Sequence, residues 1–222
     1  MIAGMQRRFA LLAVPLALLT LAAAPAPRRA PAPLPDTVRV VLTTEKGAIT
    51  VDLDARHAPV TVANFVRYVD QRRFDGITFY RAMHLAWGEQ PNGLIQAGQR
   101  DPRLRLPPIA HEPTSRTGLL HKAGALSMAR NAPGTAVADF SILLSDMPGL
   151  DADPASADPE KQAGYAVFGH VVSGMEVVRA IWDAPRSPTL GEGVMKGQML
   201  APPVKVLTAR RVAIPLTPPA AP

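Results

Sequence analysis

The feature that most constrains this chain is a set of eight short runs of strand-type residues, 38–43, 48–53, 77–83, 94–98, 124–130, 139–144, 165–172 and 204–212, with only two helical patterns among them. Parallel βαβ units need a helix after nearly every strand, and those helices are missing. So many strands with so few helices favour a closed or nearly closed barrel, which also removes exposed strand edges. The helical patterns lie near 59–71 and 174–183. Pro59 suits a first helical turn, and Val62, Phe65, Val66 and Val69 recur at i, i+3, i+4 and i+7. Met175, Val178 and Trp182 share a face of the second. Both helices are expected to plug the ends of the barrel.

Between these elements the chain is punctuated by turns. Glu45-Lys46-Gly47 joins the first two runs into a hairpin, with Gly47 supplying backbone freedom. Residues 84–92 are polar, carry Trp87, and read as a loop; 101–118 are proline-rich and aperiodic, an ordered surface loop. Residues 150–164 are acidic and small. They lack the EF-hand pattern, so a solvated loop is expected there rather than a calcium site.

The two ends have a different character. Residues 1–26 combine Arg7-Arg8, an apolar run over 9–21 interrupted by Pro15, and the small residues Ala22, Ala23 and Ala24, the three parts of a secretory signal peptide. That run is shorter than the roughly 20 residues that span a bilayer. Cleavage near Ala24 or Ala26 is expected, and the mature protein is expected to be exported, periplasmic and without a stable membrane partner. Residues 27–36 form an Ala/Pro/Arg linker, 37–214 the folded domain and 215–222 a disordered tail. With no cysteine anywhere, disulfides, thiolate metal sites and a cysteine nucleophile are excluded together. The net charge of +6 is concentrated towards the ends, and no basic stripe carries aromatics, so nucleic acid is not an expected partner. Nor does any apolar helical surface ask for a second copy; a monomer is expected.

Most catalytic signatures are absent: there is no G-x-S-x-G elbow, phosphate-binding glycine loop or HExxH, and the five histidines follow no metal spacing. No metal or cofactor is implied. What stands out is Arg81, which strand alternation places on one face with Ile77 and Phe79, and Gln96, a polar residue in another apolar run.

Taken together, EKGAITVDLD, APVTVANFVRYV, FDGITFYRAM, LIQAG, GALSMAR, ADFSI and YAVFGHVVSGMEVV, in this order, resemble the cyclophilins, and most of all their exported bacterial members. The resemblance runs from about residue 38 to 214. It implies an all-β fold, an eight-stranded antiparallel barrel capped by two α-helices, and peptidyl-prolyl cis-trans isomerase activity on proline-containing peptides or unfolded exported proteins. Arg81 matches the family's central catalytic arginine, and Gln96 the glutamine that holds it and hydrogen-bonds the substrate backbone. Leu94 matches a methionine of the proline pocket, Met128 and Ala129 residues around the proline subsite, and Phe140 the first phenylalanine of the family's SQFFI. Tyr165 falls where bacterial members often carry tyrosine.

The chain departs from that pattern around the pocket. Fourteen residues separate Arg81 from Gln96, about twice the family's usual spacing. Gly93 and Ser141 stand where the family has pocket phenylalanines, and Asp139 where it has glutamine. Trp87 in the enlarged loop is a candidate to fold over the pocket and replace the lost apolar area, with anchoring of its own loop as the other reading. The alternative to an isomerase is a cyclophilin-fold peptide-binding or chaperone-like module with weak or no isomerase activity.

Overall fold

In the computed structural model, residues 33–214 are described; the expected signal segment 1–26, most of the expected linker and residues 215–222, expected to be a tail, lie outside them. Alternation builds the first hairpin. In β1 (Thr37–Thr44) Val38, Val40, Leu42 and Thr44 face inward, and in β2 (Gly47–Asp54) Ile49, Val51 and Leu53 do the same. Six further strands follow: β3 (Thr78–His84), β4 (Gly93–Gly98), β5 (Ala125–Met128), β6 (Phe140–Leu143), β7 (Ala166–Ser173) and β8 (Met199–Val212). They close in the order β1-β2-β7-β5-β6-β4-β3-β8, and every neighbouring pair is antiparallel. This is the eight-stranded barrel that the strand count favours.

Two longer helices, α1 (Pro59–Asp70) and α4 (Met175–Trp182), match the two apolar stripes, and two short ones, α2 (Thr114–Thr117) and α3 (Pro159–Ala163), lie in segments expected to be loops. Phe65 of α1 enters the barrel, its ring 4.9 Å from Phe74, 5.2 Å from Phe140 and 5.3 Å from Phe168. Each such phenylalanine contributes roughly 1.5–3 kcal/mol on burial. An interior filled this way leaves no lumen for a ligand, so any site must lie on the outer surface.

Glu112 settles how α1 begins. Ala58 has no side chain able to cap the helix, and instead the Val60 and Thr61 amides donate to the Glu112 carboxylate at 3.1 and 2.8 Å, joined by the Thr61 hydroxyl at 2.7 Å. Glu112 is 1% exposed. A negative charge buried against a helix N-terminus is favoured by the unpaired amides and the helix dipole, so the proline-rich loop is pinned to the barrel.

Several boundaries differ from expectation, β5 among them, which ends at Met128 and not at 130. β8 begins at Met199, five residues before the expected start, because Pro202 and Pro203 are accommodated within it. β3 and β4 extend to pair His84 with Gly93, which turns part of the enlarged 82–95 insertion into hairpin and leaves 85–92 as the loop. At the N-terminal edge, Leu34 packs against the core, so the end of the expected linker belongs to the folded domain.

Candidate active site

A bulge in β3 sets the orientation of Arg81. Simple alternation puts Arg81 on the inward face with Phe79, but the pairing with β4 and β8 shifts register between Phe79 and Arg81. Phe79 and Ala82 are fully buried, while both Tyr80 and Arg81 turn outward. One extra residue in a strand has this effect, since it reverses the faces of everything beyond it.

Outside the barrel, Arg81 lies in a groove of about 600 Å³ with Gln96, Leu94, Met128, Ala129, Ser141 and Tyr165. Its Nε donates to Gln198 Oε1 at 2.8 Å and its Nη1 to Gln96 Oε1 at 2.8 Å, while Nη2 has only the Met83 sulfur, at 3.6 Å. Gln198 is itself fixed, its Nε2 donating to the Val194 carbonyl at 2.7 Å. Two amide oxygens therefore orient the guanidinium, and among the described residues no carboxylate is paired with it. Burial lowers the Arg81 pKa from its ordinary value, but guanidinium stays charged at neutral pH. The result is a fixed, uncompensated positive donor facing the groove.

Around this donor the walls divide by character. Leu94 packs with Leu143 and Met147, and Met83 and Leu150 lean on the same cluster, which makes one apolar side. Across the groove the Tyr80 hydroxyl donates to Asp139 Oδ1 at 2.8 Å; burial, reinforced by that carboxylate, pushes the phenol above its usual range and keeps it protonated. Tyr165 lies under the Arg130 guanidinium, 4.6 Å from ring centroid to Cζ. The Ala129 amide is already used by the Asp139 carbonyl at 2.9 Å, so a contact from Ala129 to a peptide falls to its carbonyl.

Two expected pocket residues are not in the groove. Phe140 points inward, is fully buried, and packs on Phe65, Phe74 and Phe79. It is a core residue, and Ser141 takes the outward position next to it. Trp87 is 69% exposed and does not line the groove; its loop is held by its main chain, whose carbonyl accepts from Asn92 Nδ2 at 2.6 Å. Trp87 neither covers the pocket nor anchors the loop through its ring. Gly93 admits no side chain, because a Cβ there would collide with the Met83 carbonyl and sit 2.8 Å from Trp182 Nε1. Conversely, Gln198 belongs to the site although no local pattern in GQML marks it. No cluster that could hold a metal ion occurs among the described residues.

Comparison with known proteins gives the family and the fold. The family model described as cyclophilin type peptidyl-prolyl cis-trans isomerase/CLD matches residues 39–209. The chain is 32% identical over 176 residues to a peptidyl-prolyl cis-trans isomerase of Acinetobacter baylyi, covering 77% of this chain and 84% of that one. It is 35% identical over 150 residues to peptidyl-prolyl cis-trans isomerase A of Dickeya dadantii, covering 65% and 71%. In fold it is similar to the crystal structure of a cyclophilin type isomerase of Cryptosporidium parvum, with a TM-score of 0.61 at 18% identity over 81% of this chain and 99% of that one.

Proposed function

This chain belongs to the cyclophilin-type peptidyl-prolyl cis-trans isomerases, and from that premise we propose that it turns X–Pro bonds of exported polypeptides, with Arg81 stabilising the twisted amide. The family supplies the activity, peptidyl-prolyl isomerisation. One observation carries the role of Arg81: a half-buried guanidinium oriented by Gln96 and Gln198, unpaired with any described carboxylate, with Nη2 left for a substrate.

The chemistry needs no nucleophile. Rotation about an amide is opposed by a barrier of about 18–20 kcal/mol, because the nitrogen lone pair is delocalised into the carbonyl. At the twisted geometry that lone pair returns to nitrogen and becomes an acceptor. A donor aimed there gains strength only as conjugation is lost, which is differential stabilisation of the transition state. Gln96 spends Oε1 on Arg81, so its Nε2 is the end available to a peptide carbonyl. Arg81→Ala, assayed by cis-to-trans conversion of short X–Pro peptides, is expected to lower kcat/KM about 100-fold, from loss of a charged hydrogen bond of up to roughly 3 kcal/mol. Unchanged turnover would remove Arg81 from the mechanism.

The absence of pocket aromatics at Gly93 and Ser141 favours weak proline affinity, and the question of a peptide-binding module becomes one of KM. Export and a periplasmic location rest on the composition of residues 1–26. Recovery of a chain starting just after Ala24 or Ala26 from the periplasmic fraction is the test; an intact N-terminus in the cytoplasm overturns it. The reading includes unfolded exported chains as partners, a monomer, and no nucleic acid or stable membrane partner.

A further inference from the structure

Isomerisation uses no base and no nucleophile, yet a relay of buried Ser127 and His121 with half-buried Asp151 ends at the wall of the same groove. The Asp151 Oδ1 lies 2.7 Å from His121 Nδ1, and His121 Nε2 lies 2.8 Å from Ser127 Oγ. A carboxylate only accepts, so Nδ1 carries the proton, Nε2 presents its lone pair, and the Ser127 hydroxyl donates to it. The ring cannot turn. Its own backbone amide also donates to Asp151 Oδ1 at 3.0 Å, its carbonyl accepts from Met147 N at 2.8 Å, and the residue is 1% exposed. Burial lowers the His121 pKa against the opposing pull of Asp151, which favours the neutral, proton-accepting ring at pH 7.

We propose that Ser127 is a nucleophile and that the groove supports a second reaction beside isomerisation, the hydrolysis of small carboxylic esters. Three facts bring the hydroxyl to the substrate side. Ser127 borders the groove. Ser141 stands directly opposite it in the β5–β6 pairing, so a hydroxyl and not a ring is its neighbour. Arg81, Gln96, Ser141 and Ser127 pair in turn across four adjacent strands, a polar row crossing the groove floor. Ser127 is only 4% exposed, which restricts the acyl group to a small one such as acetyl.

In the first step Ser127 Oγ forms a bond to the acyl carbon as its proton passes to His121 Nε2, and Asp151 holds the imidazolium. The Ser141 hydroxyl lies beside the resulting oxyanion as a donor. The C–O bond to the leaving alcohol then breaks, and that oxygen takes the proton from Nε2. Water attacks the acyl-serine, its proton passes through Nε2 to Ser127 Oγ, and ester plus water has become acid plus alcohol.

The test is to incubate the full chain with methanesulfonyl fluoride, a serine-directed probe no larger than an acetyl group, and, separately, with p-nitrophenyl acetate, measuring X–Pro isomerisation in the same preparation. Expected are one equivalent of probe mapped to Ser127 by peptide mass spectrometry, and ester hydrolysis that falls to the buffer rate in Ser127→Ala. Because His121→Gln removes a buried partner and can fail to fold, Ser127→Ala with an unaltered melting curve is the deciding variant. A preparation that isomerises but takes no probe at Ser127, or hydrolyses ester equally well as Ser127→Ala, overturns the nucleophile and leaves the isomerase reading standing.

Discussion

Arg81 and Gln198 stand 117 positions apart in the chain and meet in a single hydrogen bond, Nε to Oε1 at 2.8 Å. Gln198 immediately precedes β8, and its carbonyl also accepts from the Ala82 amide at 2.9 Å, so main chain and side chain together bracket the bulge that turns Arg81 outward. Replacing Gln198 with Ala should free the guanidinium on one side. We expect kcat for X–Pro isomerisation to fall about tenfold, the effect of roughly 1.4 kcal/mol, with KM little changed. A purely structural role would instead lower the melting temperature and leave kcat per folded molecule intact.

Ser141 is the position at which the pocket can be rebuilt. It faces the groove, whereas Phe140 next to it is committed to the core. Ser141→Phe is expected to lower KM for prolyl peptides about tenfold, since an aromatic floor regains roughly 1.5–3 kcal/mol of apolar burial. Gly93→Phe should not achieve this, because its Cβ meets the Met83 carbonyl. Steady-state kinetics of the two variants distinguish a missing contact from a missing space.

Glu112 carries the N-terminus of α1 through three hydrogen bonds from Val60 and Thr61. Glu112→Ala leaves those donors buried without their acceptor. Urea unfolding should show a loss of about 2–3 kcal/mol, larger than an ordinary capping residue because the acceptor is charged.

Stability should also fall in mildly acid solution. Burial lowers the pKa of His121, and of His84 in the same direction. Below the unfolded value of about 6.5 the unfolded chain binds protons that the folded chain withholds, so stability is fully present above that pH and declines as pH falls towards the depressed folded values. Asp52 and Asp75, lowered by their bonds to Arg39 and Arg210, act in a separate window below about 3.9. Melting curves between about pH 7.5 and 5 should show the histidine step, and His121→Asn should flatten most of it; an unchanged step assigns it elsewhere.

Strand number, the two helical stripes and the order of the family motifs were legible because apolar periodicity is a local property. Val38, Val40 and Leu42 announce their shared face within five residues, and Val62, Phe65, Val66 and Val69 do so within eight. Arg81 and Gln96 were legible through the motifs around them. Alternation and the motif match fell short at three points, each for a reason that neither can carry. Alternation put Arg81 on one face with Phe79, and the bulge that separates them has no residue signature in FYR. The match to the family's SQFFI placed Phe140 in the pocket, although a one-residue difference separates groove from core. The sequence offered Trp87 as a lid or as the anchor of its own loop, whereas the indole is exposed and its carbonyl does the anchoring.

By itself, then, the sequence determined a filled antiparallel barrel with an arginine and a glutamine on neighbouring strands. Only the tertiary structure decided which way that arginine points, that Gln198 steadies it, that Glu112 caps α1, and that His121 joins Asp151 to Ser127. The physical reason is the range of the forces. Burial of apolar surface rewards a repeating pattern that neighbours in sequence must share, while a hydrogen bond needs one donor and one acceptor, and its partner can come from anywhere the fold brings within 3 Å.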